Sequence, residues 1–284
     1  MKSIHALSID LEDWYHPELV RKRISGDFSV QIDEATQPIL NLLDRYQVKA
    51  TFFVLGEVAE KSPALIETIL QKGHEIASHG FSHRPLWELD ENGFREEMMR
   101  FHAVIQKVLG PVKIKGFRAP TFSLDNRTRW AVKILVELGY QYDASIFPVK
   151  LNRLYGLAGA PTKPYRLSIE DLRTEDPNSS LIEFPMSVLE WMGMRIPISG
   201  GFYLRLTPLP LLRWGLKRIS RCHPFFLYLH PWEGHLRTPH LKLPLADRII
   251  TYYGMKGVLK KLEALFMEFE FTRMDRILGL EEAS

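Results

Sequence analysis

Short apolar segments that alternate with amphipathic segments constrain the fold of this chain more than any other feature. Residues 48–55, Val-Lys-Ala-Thr-Phe-Phe-Val-Leu, form a nearly continuous apolar run, typical of a strand buried on both faces. The pattern predicts further strands at 4–9, 74–77, 114–118, 181–185, 225–229 and 269–273. It predicts helices at 31–45, 57–72, 90–109, 125–138 and 245–267. Strands that alternate with helices indicate a parallel α/β sheet with helical crossovers.

The composition excludes several classes of protein. The 284 residues are 45% apolar and 25% charged, which is typical of a globular chain. Lys and Arg number 37 and Asp and Glu 34, so the net charge of +3 predicts no nucleic-acid partner. The single cysteine, Cys222, excludes an internal disulfide and a cysteine-based zinc cluster. The N-terminal apolar run ends at Asp10 with no cleavage signal after it, so we expect a cytoplasmic protein.

The predicted organisation is one domain with an extension. Residues 1–240 are expected to form the α/β unit, and 241–284 a helical extension packed on it. Residues 150–180 contain many glycines, prolines and polar residues, which predicts a loop excursion over the mouth of the unit.

Histidines are concentrated between residues 74 and 83. His79 and His83 are four residues apart, a spacing that places two imidazoles on one helical face. Two such imidazoles can share a divalent ion. The alternative is a chance pair on a solvated helix.

Carboxylates follow the first strand at Asp10, Glu12 and Asp13. Two histidines and one carboxylate form a ligand set that leaves metal positions open for water and substrate. Carboxylates this close repel one another unless a cation neutralises them. The alternative is an exposed acidic loop.

Two further strand ends carry polar residues that suit a reaction site. Arg118 stands at the end of the strand predicted at 114–118 and can pair with a carboxylate, while Pro120 fixes the loop that follows. His230 ends the apolar strand 225–229 and is followed by Pro231. A histidine there can act as a general acid near neutral pH, or it can be a structural hydrogen-bond partner.

Taken together, these motifs resemble the polysaccharide deacetylase family (carbohydrate esterase family four) over about residues 4 to 235. The matching segments are 48–56, 73–83, 118–120, 142–145 and 229–230. Segments 8–14, 143–148, 200–206 and 230–233 further resemble a branch associated with exopolysaccharide gene clusters, which carries a C-terminal extension.

The resemblance implies a distorted (β/α) barrel of about seven parallel strands. It implies a hydrolase of linear, non-peptide amide bonds that uses a divalent metal ion, usually zinc, to remove N-acetyl groups from amino sugars. Asp10 would be the general base, tuned by Arg118, and His230 the general acid. Asp143 stands at the next acidic motif of the family, and we include it among the catalytic candidates.

His79 and His83 would hold the metal. The family has two adjacent acids after the first strand, the second of which binds metal, whereas Leu11 follows Asp10 here. The metal carboxylate is therefore Glu12, which strand alternation places on the side of Asp10, or Asp13, which a turn could bring round.

The substrate is expected to be an amino-sugar polymer or its lipid-linked oligosaccharide precursor. Trp14, Pro120, Tyr203 and Trp232 are the candidate contacts with it. Residues 205–221 combine basic and apolar side chains, which suits a barrel-wall helix or a helix on the inner membrane. A deformylase, another amide hydrolase on the same barrel and an inactive carbohydrate-binding barrel are the alternative functions.

Overall fold

A curled, mostly parallel sheet forms the centre of the molecule. The computed structural model describes residues 3–24, 28–149 and 156–281. Within these residues nine strands form one sheet in the order β10-β1-β2-β3-β4-β5-β7-β6, with β11 also paired to β1, and β8 and β9 form a separate hairpin. The strands are β1 Ile4–Leu11, β2 Thr51–Val54, β3 Glu75–Ser78, β4 Gly116–Phe117, β5 Tyr142–Asp143, β6 Tyr165–Arg166, β7 Ile182–Glu183, β8 Val188–Trp191, β9 Met194–Pro197, β10 Phe226–Leu229 and β11 Glu270–Thr272.

Helices connect and cover the strands. They are α1 Glu18–Arg21, α2 Ile32–Tyr46, α3 Gly56–Lys61, α4 Pro63–Gln71, α5 Glu91–Leu109, α6 Trp130–Glu137, α7 Gly201–Leu206, α8 Leu209–Ser220, α9 Pro231–Gly234, α10 Leu245–Tyr252, α11 Val258–Phe266 and α12 Met274–Ile277. Short 3-10 helices span Leu86–Glu88, Pro120–Phe122 and Met255–Gly257. Among the described helices, none combines the length and the apolar character needed to cross a bilayer.

The two faces of the sheet build two apolar clusters. In β1, Leu7 and Ile9 belong to a large cluster that also contains residues of the covering helices, while Ala6 belongs to an inner cluster with Phe226. Phe184, just after β7, lies 5.3 Å from Phe226 of β10 between ring centroids, although these strands are far apart in the sheet order. The sheet therefore curls on itself, and the predicted α/β barrel is confirmed.

Three predicted helices are interrupted. The helix expected at 57–72 is split into α3 and α4 at Pro63, and the one expected at 205–221 is split into α7 and α8 beside Pro208. Proline lacks the N–H group that a continuous helix requires. Gly254 divides the helix expected at 245–267, with a φ of +77°. A Cβ atom at Gly254 would lie 2.8 Å from the carbonyl oxygen of Arg205, so only glycine fits there.

The C-terminal extension is more than helical. Besides helices α10 to α12 it contributes β11, which pairs in parallel with β1 over residues Ile4 to Ala6. The segment predicted as a helical addition therefore also completes the central sheet. Residues on both sides of the predicted border at residue 240 therefore contribute strands to the same sheet.

The predicted excursion at 150–180 falls partly outside the described residues, which omit 150–155. Its described part includes β6, which pairs antiparallel with β7 in the main sheet. Asp171 accepts a hydrogen bond of 2.8 Å from the side-chain amide of Asn126. This part therefore packs on the loop that follows β4.

Candidate active site

The carboxyl ends of neighbouring parallel strands bring the predicted polar residues together. Asp10 lies near the end of β1, His79 directly after β3, Arg118 directly after β4 and His230 directly after β10. Parallel strands point their carboxyl ends to the same edge, which is where α/β barrels hold their reactive groups. The parallel sheet therefore brings these four residues to the same edge.

Glu12 and two imidazoles form the centre of this site. The Oε1 oxygen of Glu12 lies 3.1 Å from Nε2 of His79 and 2.9 Å from Nε2 of His83. All three side chains are buried. Burial by itself raises the pKa of Glu12, but the charges of His83 and His230 and the close contacts of Oε1 with the His79 and His83 imidazoles outweigh it and hold this pKa well below its usual range.

The donor chemistry of these three residues fits a divalent cation. Nδ1 of His79 lies 2.7 Å from the carbonyl oxygen of Arg118, so it carries the proton and leaves a lone pair on Nε2. That lone pair faces a carboxylate oxygen of Glu12, and two electron-rich atoms this close repel each other. A cation bound between them would turn the repulsion into attraction. Burial lowers the pKa of His83, which favours the neutral imidazole that metals bind. Glu12, His79 and His83 can therefore hold a metal ion.

Asp13, the other candidate metal carboxylate, points elsewhere. Its Oδ2 oxygen accepts hydrogen bonds from the backbone N–H groups of Gln31 at 2.7 Å and Ile32 at 3.1 Å. Its Oδ1 oxygen accepts one from the N–H of Trp14 at 2.8 Å. Asp13 thus satisfies the free N–H groups at the start of α2, and the geometry favours Glu12 as the metal carboxylate.

Asp10 is held by a buried arginine. Nη1 of Arg118 donates to Oδ1 of Asp10 and, at 3.0 Å, to the hydroxyl oxygen of Ser8. Nε of Arg118 donates to the carbonyl oxygen of Ala144 at 3.0 Å, and the guanidinium lies 4.0 Å from the ring centre of Phe53. With Arg118 fixed on several sides, the Asp10 carboxylate has a defined position in the site.

His230 is held from behind by a carboxylate that is itself paired. Nδ1 of His230 donates to Oε2 of Glu233 at 3.0 Å, and Nε of Arg205 donates to Oε1 of Glu233 at 2.6 Å. The other imidazole nitrogen, Nε2, faces the site, 3.5 Å from Glu12 and 3.9 Å from Asp10. Burial lowers the pKa of His230, but the surrounding carboxylates, chiefly Glu12 and Glu233, raise it to about 9.

A cavity of about 230 Å³ opens over these groups. Its walls are largely apolar and aromatic. Besides the polar residues above they include Leu19, Thr121, Phe122, Phe202, Tyr228, Trp232 and Ile250. The Trp232 ring stacks on the His230 ring, with ring centroids 5.3 Å apart. Trp232 lines the cavity, and its contact with the substrate stays a prediction.

The other three predicted substrate contacts lie away from the lining of this cavity. Trp14 is buried and donates its indole N–H to the carbonyl oxygen of Ser29 at 3.0 Å. Tyr203 packs against Phe147, and Pro120 is buried. Residues next to two of them line the cavity instead: Phe202, which precedes Tyr203, and Thr121 and Phe122, which follow Pro120.

Asp143 also lies away from the lining of the cavity. It is fully buried, accepts a hydrogen bond of 2.6 Å from the Ser145 hydroxyl and is hydrogen-bonded to Glu183. Burial raises the pKa of both carboxyl groups, and their mutual repulsion adds to the effect at Glu183. The Ser145 oxygen accepts the N–H of Ala119 at 2.7 Å. Asp143 therefore lies where it can position the loop after Arg118, and its catalytic role stays a prediction.

Sequence reasoning missed several residues of the site. Glu233 carries a detectable signal, because it lies three residues after His230 at the start of a helix and completes a capping box. Arg205, interpreted as part of a basic helical face, is instead buried against Glu233. Phe202 and Ile250 carry no local signal, because only the packing of α7 and α10 brings them to the cavity.

Fold and site together define an α/β barrel with a buried His-His-carboxylate group at the carboxyl ends of its strands. Residues 21–142 match the family model described as polysaccharide deacetylase. Residues 144–279 match the model described as a domain of unknown function, DUF3473. The chain thus contains a polysaccharide deacetylase domain over residues 21–142, followed by this second segment. The border between the two models falls next to β5, so both contribute strands to one sheet.

Similar proteins support this assignment. A peptidoglycan-N-acetylglucosamine deacetylase of Bacillus cereus is 36% identical over 101 residues, 35% of this chain and 36% of that protein. A chitooligosaccharide deacetylase of Sinorhizobium fredii is 29% identical over 85 residues, 30% of this chain and 40% of that protein. These alignments thus span well under half of either relative.

A solved structure from Mycobacterium smegmatis, assigned to the polysaccharide deacetylases, matches over a much larger part of the chain. It has a TM-score of 0.63 and 20% identity, and the match covers 98% of this chain and 90% of that one. At this level of identity the likeness concerns the fold.

Proposed function

We propose that this protein is a metal-dependent hydrolase that removes N-acetyl groups from amino-sugar residues of a polysaccharide or its precursor. The observation that carries the proposal is the convergence of a carboxylate held by arginine, a carboxylate-backed histidine and a His-His-Glu group on one cavity. A protein that only binds carbohydrate has no use for an acid and a base placed beside a metal group. The match of residues 21–142 to the polysaccharide deacetylase model supports the same reaction.

The two flanking side chains divide the proton transfers. Asp10, fixed by Arg118, takes a proton from the attacking water as the oxygen bonds to the acetamide carbonyl carbon. His230 carries a proton on Nε2 and donates it to the amide nitrogen as the carbon–nitrogen bond breaks. The products are acetate and a free amino sugar. Glu233 keeps Nδ1 of His230 protonated, so that Nε2 faces the reaction.

Glu12, His79 and His83 are the residues that would hold the metal ion. When bound, such an ion makes water more acidic and polarises a carbonyl oxygen. We expect zinc, because two histidines and one carboxylate are a common catalytic zinc set.

The finer assignments rest on the sequence resemblance. We propose an exopolysaccharide or its lipid-linked precursor as the substrate, and action in the cytoplasm or at the inner face of the membrane. The similar proteins from Bacillus cereus and Sinorhizobium fredii are described as deacetylases of peptidoglycan N-acetylglucosamine and of chitooligosaccharides, which supports an N-acetylated amino sugar.

Acetate release from a panel of N-acetylated amino-sugar oligomers tests the proposal. We expect release by the purified protein, loss of release with a chelator, and recovery when zinc is added back. An N-formylated oligomer in the same panel separates a deacetylase from a deformylase. Release of formate alone, or no release from any oligomer with metal present, would contradict the proposed reaction.

A further inference from the structure

Helix α10 presents its apolar side chains outward. Leu245, Ile249 and Tyr253 follow one another at helical spacing and are 64%, 42% and 53% exposed. The one residue of the helix that is buried is Thr251. A helix that only covers a core shows the opposite arrangement, with leucine and isoleucine inside. The outer side of α10 is therefore suited to a partner.

Two neighbouring residues extend this apolar surface. Leu206 at the end of α7 and Leu236 after α9 line the same surface cavity as Tyr253, and both are exposed. We define the α10 face as Leu206, Leu236, Leu245, Ile249 and Tyr253. It adjoins the candidate active site, since Ile250 of the same helix lines the catalytic cavity. Contiguous exposed apolar surface of this kind marks an interaction site.

The charge around the α10 face selects the kind of partner. Residues 235–261 contain a single acid, Asp247, which pairs with Arg23 at 2.9 Å. Glu34 also reaches this region, 3.7 Å from Arg237. The same stretch holds six basic residues. Arg237, Lys242, Arg248 and Lys256 are exposed, whereas Lys260 lines a separate cavity with Glu263 and Lys261 donates to backbone carbonyl oxygens. A second copy of this face would repel the first, whereas an anionic surface would be attracted.

We propose that the α10 face docks the protein on an anionic lipid bilayer. Apolar side chains on a helix, flanked by exposed basic residues, are the combination that places a helix in the headgroup region of a membrane. Because Ile250 connects this face to the catalytic cavity, docking would bring the opening of the cavity to the lipid surface. The docking itself is independent of catalysis, and its use for a lipid-linked substrate rests on the proposed function.

The α8 side, where the sequence suggested a membrane helix, suits this role less well. Arg205 is buried in its pair with Glu233. Arg213 and Lys217 both pair with Glu268, at 2.8 and 2.5 Å, so this carboxylate offsets part of the positive charge on the basic side of α8. Exposed Trp191 and Met192 of the β8–β9 hairpin lie on that side and provide the competing surface for the test.

Co-sedimentation with vesicles tests the docking. The full chain is mixed at low salt with vesicles of about one-third phosphatidylglycerol in phosphatidylcholine, or of phosphatidylcholine alone. We expect binding to the first, little binding to the second, and weaker binding as salt is raised. The double variant Leu245→Asp, Ile249→Asp should bind at least about tenfold more weakly.

Two control variants define the outcome. Met99→Asp changes an exposed apolar residue on α5 and should bind like the parent protein. If Met192→Asp abolishes binding while the α10 variant retains it, the hairpin is the membrane surface and the proposal is wrong. The proposal is also overturned if the parent protein does not bind the anionic vesicles. It is overturned as well if the parent protein forms a dimer and the α10 variant does not.

Acetate release from a water-soluble oligomer separates this proposal from the proposed function. The α10 variant should keep the parent rate on the soluble oligomer, because its substituted residues lie outside the cavity lining. Vesicle binding without any acetate release would leave the docking intact and contradict only the proposed reaction.

Discussion

The Oε2 oxygen of Glu233 lies 3.0 Å from Nδ1 of His230, and the same oxygen accepts the backbone N–H of His230 at 2.9 Å. These two bonds fix the imidazole ring and leave Nε2 directed at Asp10 and Glu12. The Arg205 guanidinium pairs with the other oxygen of Glu233. Burial raises the pKa of Glu233, but the charges of Arg205 and His230 lower it to about 2, so the carboxylate is ionised under all ordinary conditions.

Glu233→Gln tests this arrangement. We expect kcat to fall about a hundredfold or more, with a smaller change in KM, because the imidazole loses the group that sets its proton and orientation. Steady-state kinetics on a soluble acetylated oligomer measure both constants, and circular dichroism checks that the variant folds. A folded Glu233→Gln protein with the parent kcat would show that Glu233 serves only the local structure.

Glu12→Ala and Asp13→Ala form a matched pair of changes at adjacent buried carboxylates. Glu12→Ala should weaken metal binding by at least about a hundredfold, because it removes the oxygen that both imidazoles face. Asp13→Ala should keep its metal but lose about 1–3 kcal/mol of unfolding free energy, since three backbone N–H groups lose their acceptor. Metal analysis after dialysis and urea unfolding measure the two effects. The reverse pattern would assign the metal to Asp13.

Asp10→Asn should separate metal binding from turnover. The amide retains the size of the carboxylate but cannot accept a proton from water, so kcat should fall by about two to four orders of magnitude while the metal is retained. Acetate release and metal content are measured on the same preparation. An active Asp10→Asn protein would exclude Asp10 as the base.

The stability of the protein should depend on pH through a histidine far from the site. Burial, with a contribution from Lys49, lowers the pKa of His74 from 6.5 to about 4, and its Nδ1 accepts the N–H of Ala50 at 3.2 Å. Between pH 6.5 and about pH 4, the His74 imidazole therefore binds a proton more readily in the unfolded chain than in the folded protein. The stabilisation is therefore complete above pH 6.5 and is lost as the pH falls toward 4.

His74→Asn provides the measurement for this effect. At about pH 5 the parent protein should have lost on the order of 2 kcal/mol from this group relative to neutral pH. Between neutral pH and about pH 5, the unfolding free energy of the variant should therefore fall by correspondingly less than that of the parent. Urea unfolding of chelator-treated protein measures both. His240→Asn, at an exposed imidazole, is the control and should follow the parent. Equal pH dependence in all three proteins would contradict the assignment to His74.

Much of the site could be predicted because strands fix the direction of side chains. Residues two apart on a strand share a face, so Asp10 and Glu12 were expected on one side, and both line the cavity. His79, Arg118 and His230 follow strands, and parallel pairing brings strand ends to one edge. The rings of His79 and His83 lie close together, with centroids 5.3 Å apart, but not on one face of a helix as their i, i+4 spacing predicted. His79 follows β3 directly and His83 has a φ of +58°, so a turn brings the rings together rather than a helix.

The sequence by itself determined the alternation of strands and helices, the strand ends that carry polar groups, and hence the class of fold and the edge where the site lies. These are properties of local periodicity and of residue types next to one another. Only the tertiary structure placed Glu12 rather than Asp13 against the two imidazoles, left Asp143, Trp14 and Tyr203 outside the lining of the cavity, and paired Glu233 with Arg205. Those outcomes depend on contacts between segments far apart in the chain, where the packing of α2, α7 and α10 sets which way each side chain turns.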